Sequence, residues 1–108
     1  MELPTEIFGD VIVVHTPEEL SESHSEQLED YLTSLERSNV IVDLDGTESL
    51  DSAGLTTLVN AQEILREIFG DLKISTTNHV NRKILEITRL DQQLEVFDSV
   101  IDAVKSFV

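Results

Sequence analysis

Two stretches near the middle of the chain hold the residue types that do chemistry. Asp43-Leu44-Asp45-Gly46-Thr47 places two carboxylates at the end of the apolar run Val40-Ile41-Val42, and Asp51-Ser52-Ala53-Gly54 stands at the mouth of a helical pattern. Paired carboxylates are ligands for a hard cation such as Mg²⁺, but a magnesium site that handles phosphate also needs a positive side chain and further acids. Lys73 and Lys83 could be nominated for the charge, yet no later acidic pair closes a convincing strand. The plainer expectation for Asp43 is structural: a carboxylate at a strand's end, accepting backbone hydrogen bonds that hold the loop toward Asp51. Asp51 or Ser52 suits a helix N-cap, and a serine at a helix start is exposed. Gly54, inside the helical pattern, costs about 1 kcal/mol relative to alanine and points to close approach of another backbone.

Other candidates are weaker. His15, His24 and His79 are far apart in sequence, and His24 falls on an apolar stripe, which predicts a packed side chain rather than a metal ligand. Thr56 and Thr57 read as helix surface, and Arg82, Lys83 and Arg89 as a solvated basic face. There is no glycine-rich phosphate loop, and without cysteine neither a disulfide nor a thiolate metal site can form.

The elements that position these residues alternate between strand and helix. Leu3 to Phe8 and Val11 to His15, separated by Gly9-Asp10, predict a β-hairpin. Thr16-Pro17-Glu18-Glu19 has the form of a helix start with a capping box, and Leu20, His24, Leu28, Tyr31, Leu32 and Leu35 continue at helical spacing. Val40 to Leu44 is a near-continuous β-branched run, the composition of a central strand buried on both faces. A second helix follows Asp51, with Leu55, Leu58, Val59, Ile64, Leu65 and Ile68 on one broad buried face and Phe69-Gly70 at its end. Leu72 to Ser75 is a further strand. Val80, Ile84, Leu85 and Ile87 mark a third helix capped by Asn78 or Thr77, Leu94 to Phe97 a short edge strand, and Asp98 the cap of a last helix through Val100, Ile101, Val104 and Phe107. The fold expected is α/β: a small mixed sheet of about four to five strands covered by about four helices. Function in such sheets gathers where loops leave the carboxyl ends of strands, which is where Asp43 to Gly54 lies.

Size and charge narrow the function. The 108 residues predict a single domain, burying about 60 to 70% of its unfolded surface. The acidic start and short apolar runs predict a cytoplasmic protein with no membrane insertion. With 22 acidic residues against 7 basic ones, the net charge is -15, which repels phosphate backbones and predicts no direct nucleic-acid binding. A basic partner protein remains compatible.

Two family resemblances bear on the central stretch. Asp43-Leu44-Asp45-Gly46-Thr47 after a buried strand resembles the first motif of haloacid-dehalogenase-type phosphatases, which would make Asp43 the nucleophile and Asp45 the acid and base with bound Mg²⁺. That motif would sit on the third strand here, with little chain left to complete the sheet. The broader match covers nearly the whole chain. Asp43, Gly46, Asp51, Ser52, Gly54, Leu55 and Leu58, followed by the Gly70-led strand, the helix from Val80 to Thr88, Arg89-Leu90 and the C-terminal helix, resemble the STAS domain of sulfate transporters and anti-sigma factor antagonists. The chain departs from that pattern at His15-Thr16-Pro17-Glu18-Glu19-Leu20, and Ala53 stands where a second hydroxyl is common. The resemblance implies a regulatory protein-binding module and no enzyme or cofactor. Ser52 would be phosphorylated by an anti-sigma factor that is itself a serine kinase, and Asp51, Ser52, Ala53 and Gly54 would form the partner surface. It also admits a STAS subunit of a stress-sensing or lipid-transport complex.

Overall fold

The β-branched run at Val40-Ile41-Val42 forms the middle of a sheet, as burial on both faces requires. The computed structural model describes residues 1–107; in it β4 (Asn39–Asp43) runs parallel to β2 (Val11–His15) on one side and to β6 (Asp71–Ser75) on the other. β1 (Thr5–Phe8) adds antiparallel to β2 at one edge, and β7 (Val96–Phe97) adds parallel to β6 at the other, giving a mixed five-stranded sheet in the order β1-β2-β4-β6-β7. Gly9, at φ 61°, turns the hairpin. A separate two-residue pairing joins β3 (Glu19–Leu20) to β5 (Ser49–Leu50).

Alternation along the strands sends their side chains to two cores. Ile12, Val14, Val40, Val42, Leu72 and Ile74 face α1 (Ser25–Thr33), α2 (Ser52–Glu67) and α3 (His79–Ile87), where they meet buried leucines such as Leu28, Leu58 and Leu85. On the other face, Val11, Val13 and Ile41 pack with Ala103 of α4 (Val100–Lys105), assisted by Phe97, Val100 and Val104. The α/β class, the mixed five-stranded sheet and, among the described residues, the four α-helices agree with the sequence reading, which did not include the small β3–β5 pairing.

Several local expectations are corrected. Thr16 to Leu20 is not a helix start: Thr16 is buried in the connection after β2, Glu19–Leu20 is strand, and α1 begins at Ser25 after a 3-10 turn at Glu22–His24. The local capping signal loses to distant partners, because the Thr16 N–H and hydroxyl both reach the Asp43 carbonyl, at 3.1 and 3.0 Å, and Glu18 O accepts from Glu48 N and Ser49 N. His24 is exposed on that 3-10 turn and not packed. The buried face of α2 runs through Gly54, Leu55, Thr57, Leu58, Ala61, Gln62 and Leu65, so Thr57 is interior while Ile64 and Ile68 are exposed. Val80 and Ile87 are likewise exposed, the buried positions of α3 being Asn81 and Leu85. Ser99, not Asp98, caps α4, and Asp98 instead pairs with Arg82 at 2.5 Å.

Candidate functional site

Asp51 and Ser52 open α2. Asp51, extended at the N-cap, accepts the Gly54 N–H on Oδ1 at 2.9 Å, so Asp51 and not Ser52 does the capping. Ser52 is exposed; its carbonyl accepts from Thr56 Oγ1, and its hydroxyl has no protein hydrogen bond among the described residues. It opens onto a groove between α1 and α2 lined also by Glu22, Glu26, Glu29, Thr56 and Asn60. The first amides of a helix have no intrahelical acceptors, so Ser52 sits where orphan N–H groups and the positive end of the helix dipole meet solvent. Ala53 is half-buried beside it.

Gly54 is not part of this exposed surface. It is buried, and a Cβ there would come 2.7 Å from the Leu20 carbonyl oxygen and 3.2 Å from Leu20 Cβ. The close backbone approach expected of this glycine is therefore to β3 of its own chain rather than to a partner. That approach seats the N-terminus of α2 on the β3–β5 pairing, where Asp51 N also reaches toward Leu20 O at 3.4 Å.

The loop between β4 and β5 carries the remaining polar groups. Parallel register brings His15, Asp43 and Ser75 side by side at the carboxyl ends of three neighbouring strands. Asp43 Oδ1 accepts the Asp45 N–H at 3.0 Å, while its Oδ2 faces His15 Nδ1 at 2.8 Å. Asp45 turns the other way, its Oδ1 accepting from Thr77 N at 2.6 Å and from Thr76 Oγ1 at 3.2 Å. The two carboxylates thus serve different strands and do not converge. Neither lysine joins them: Lys73 Nζ is held on the α4 face by Ser106 Oγ at 2.9 Å, with the Phe107 ring 4.3 Å away, and Lys83 is exposed on α3.

Two residues that sequence reasoning missed fix this loop. Thr47 is buried, contacts the Thr16 hydroxyl at 2.5 Å and donates to Pro17 O at 2.6 Å. Buried Asn81 of α3 donates from Nδ2 to Thr47 O at 2.8 Å and Leu44 O at 3.3 Å. The signal that could have found Asn81 is a polar residue in phase with Leu85, one helical turn on, since polar groups on a buried face are there to satisfy something.

His15 sits between two carboxylates, those of Glu6 and Asp43. Burial, the largest single influence, lowers its pKa, but hydrogen bonds and charge interactions with Glu6 and Asp43 together outweigh it and leave it raised above the ordinary histidine value.

The arrangement has clear relatives. A STAS domain family profile matches residues 2–103. The fold is similar to that of an anti-sigma factor antagonist from Mycobacterium paratuberculosis, at 22% identity over 97% of this chain and 92% of that one, with a TM-score of 0.83. A candidate anti-sigma factor antagonist from Thermotoga maritima is similar at 20% identity, over 96% and 92% of the two chains, with a TM-score of 0.84. The Bacillus cell fate determinant SpoIIAA in its phosphorylated form is similar at 14% identity, over 99% and 100%, with a TM-score of 0.71. With the family profile spanning almost its whole length and the mixed sheet, helix order and α2 start in place, the chain belongs to the STAS domain family.

Proposed function

We propose that this domain is a protein-binding regulator of the anti-sigma factor antagonist kind, switched by phosphorylation of Ser52 by an anti-sigma serine kinase. One observation carries the reading: Ser52 is the exposed residue directly after the Asp51 cap, with a hydroxyl that has no hydrogen-bond partner among the described residues, on a fold shared with a phosphorylated SpoIIAA. Asp51, Ser52 and Ala53 then form the partner surface together with the groove along α1. A phosphate on Ser52 adds about -1.5 to -2 charges at neutral pH beside Asp51, Glu22, Glu26 and Glu29. The helix N-terminus offsets part of that repulsion, so the fold is retained. An interface shaped for a neutral hydroxyl is not retained, because burying a dianion without a matched cation costs several kcal/mol, and every 1.4 kcal/mol is about tenfold in affinity.

The test compares Ser52→Ala and Ser52→Asp as baits. Capture of an ATP-binding serine kinase by Ser52→Ala but not by folded Ser52→Asp is the expected result. Equal capture by both contradicts the switch and favours a constitutive STAS subunit of a stress-sensing or lipid-transport complex. The phosphatase alternative draws no support from Asp43 and Asp45, whose carboxylates hold opposite neighbours.

A further inference from the structure

We propose that Glu6, His15 and Asp43 form a proton-dependent latch, which fastens the edge strand β1 to the carboxyl end of β4 and lets go of Glu6 when His15 loses its proton. The geometry sets the proton count. His15 Nε2 lies 2.7 Å from Glu6 Oε1 and His15 Nδ1 lies 2.8 Å from Asp43 Oδ2, so both ring nitrogens face carboxylate oxygens. An ionised carboxylate only accepts, and a neutral imidazole has one N–H to donate. Both contacts are hydrogen bonds only with the imidazolium. Its raised pKa agrees with that protonation state. The charged groups facing the ring are Glu6 from β1 and Asp43 from β4; nearby Asp45 is turned to Thr76 and Thr77. Basic side chains on the neighbouring elements are engaged elsewhere, Arg37 donating to Gly9 O at the hairpin turn and Lys73 to Ser106. Among the described residues His15 is therefore the only cation paired with either carboxylate.

The same geometry decides which bond breaks. Asp43 has a side chain only 13% exposed, is pinned by the Asp45 N–H and lies on the central strand, whereas Glu6 is 55% exposed on an edge strand. A neutral ring keeps its Nδ1–H on Asp43 and turns a bare nitrogen toward Glu6, which moves out to water. β1, whose four residues are all exposed, is then left with its backbone ladder to β2 and the turn at Gly9. The deprotonated protein consequently has a looser edge strand at one side of the sheet, while the centre is unchanged. Because the folded pKa is the raised one, the latch contributes fully below the unfolded histidine value near 6.5 and is lost as pH rises through the folded value.

The experiment follows His15 and β1 together. NMR of the full chain reads the His15 ring titration, and hydrogen exchange corrected for intrinsic rates reads the Glu6 to Phe8 amides from pH 5.5 to 9, in wild type and Glu6→Gln. Expected are a His15 midpoint above 6.5 that falls in Glu6→Gln, and β1 protection that drops about two- to fivefold across the midpoint in wild type but stays level in the variant, the range a half-exposed ion pair supports. A wild-type midpoint at or below 6.5 overturns the proposal. So does β1 protection that is equal on both sides of the midpoint, or that falls equally in Glu6→Gln.

Discussion

Asn81 offers the sharpest test of how α3 holds the loop that leads to Ser52. In Asn81→Ala the Thr47 carbonyl loses its side-chain donor from α3, while Leu44 O keeps its bond from Thr47 N at 3.0 Å. Removing the donor leaves the buried Thr47 carbonyl unsatisfied, which costs about 1 to 3 kcal/mol. For a chain of this size that lowers Tm by about 4 to 13 °C. Urea denaturation followed by circular dichroism gives the free energy directly, provided the m-value is unchanged. Asn81→Asp separates hydrogen bonding from packing, because it keeps the shape but sets a carboxylate against two carbonyl oxygens. It should be as damaging as alanine at pH 7 and recover partly at acid pH, where its protonated form can donate. A loss under about 0.5 kcal/mol in Asn81→Ala, or an Asn81→Asp variant as stable as wild type at pH 7, would refute the tether.

Two adjacent positions at the end of α2 give predictions of opposite sign. In Gly70→Ala the new Cβ would lie 2.0 Å from the Ser38 carbonyl oxygen, a collision with backbone that cannot rotate away, so thermal melting should show a loss of about 1 to 3 kcal/mol or more. Phe69→Gly should stabilise by about 0.5 to 1 kcal/mol, since Phe69 sits at φ 67° with 98% of its surface exposed and gives up strain without giving up burial; an unchanged or lower Tm contradicts this.

What the sequence made legible were the features with strong local causes. The β-branched run at Val40 fixed the central strand, Gly9 the hairpin, and the Asp51-Ser52 start with its leucines the helix that bears the candidate acceptor. At the first expected helix, tertiary partners override a local preference. Thr16-Pro17-Glu18-Glu19 has every mark of a helix cap, yet Thr16 bonds to Asp43 O and approaches Thr47 while Glu18 O serves Glu48 and Ser49. β3 and β5 are two residues each, too short for any period to show. At the end of α2 the pair Phe69-Gly70 was legible as a stop, but the roles are exchanged. Phe69 takes the left-handed position and its N–H bonds Arg66 O, Gly70 N bonds Leu65 O at 2.8 Å, and the missing Cβ of Gly70 is used to pass Ser38. Gly54 was legible as a close approach, but a lone sequence does not say whose backbone approaches.

The most direct measurement of the central claim is phosphosite mapping by mass spectrometry, after incubating the protein with ATP and the serine kinase that Ser52→Ala captures. Phosphate on Ser52 in the wild type, and none anywhere on Ser52→Ala, is the predicted result. Phosphate on Thr56 or elsewhere with Ser52 unmodified, or no incorporation at all, would contradict the assignment of the α2 start as the switch.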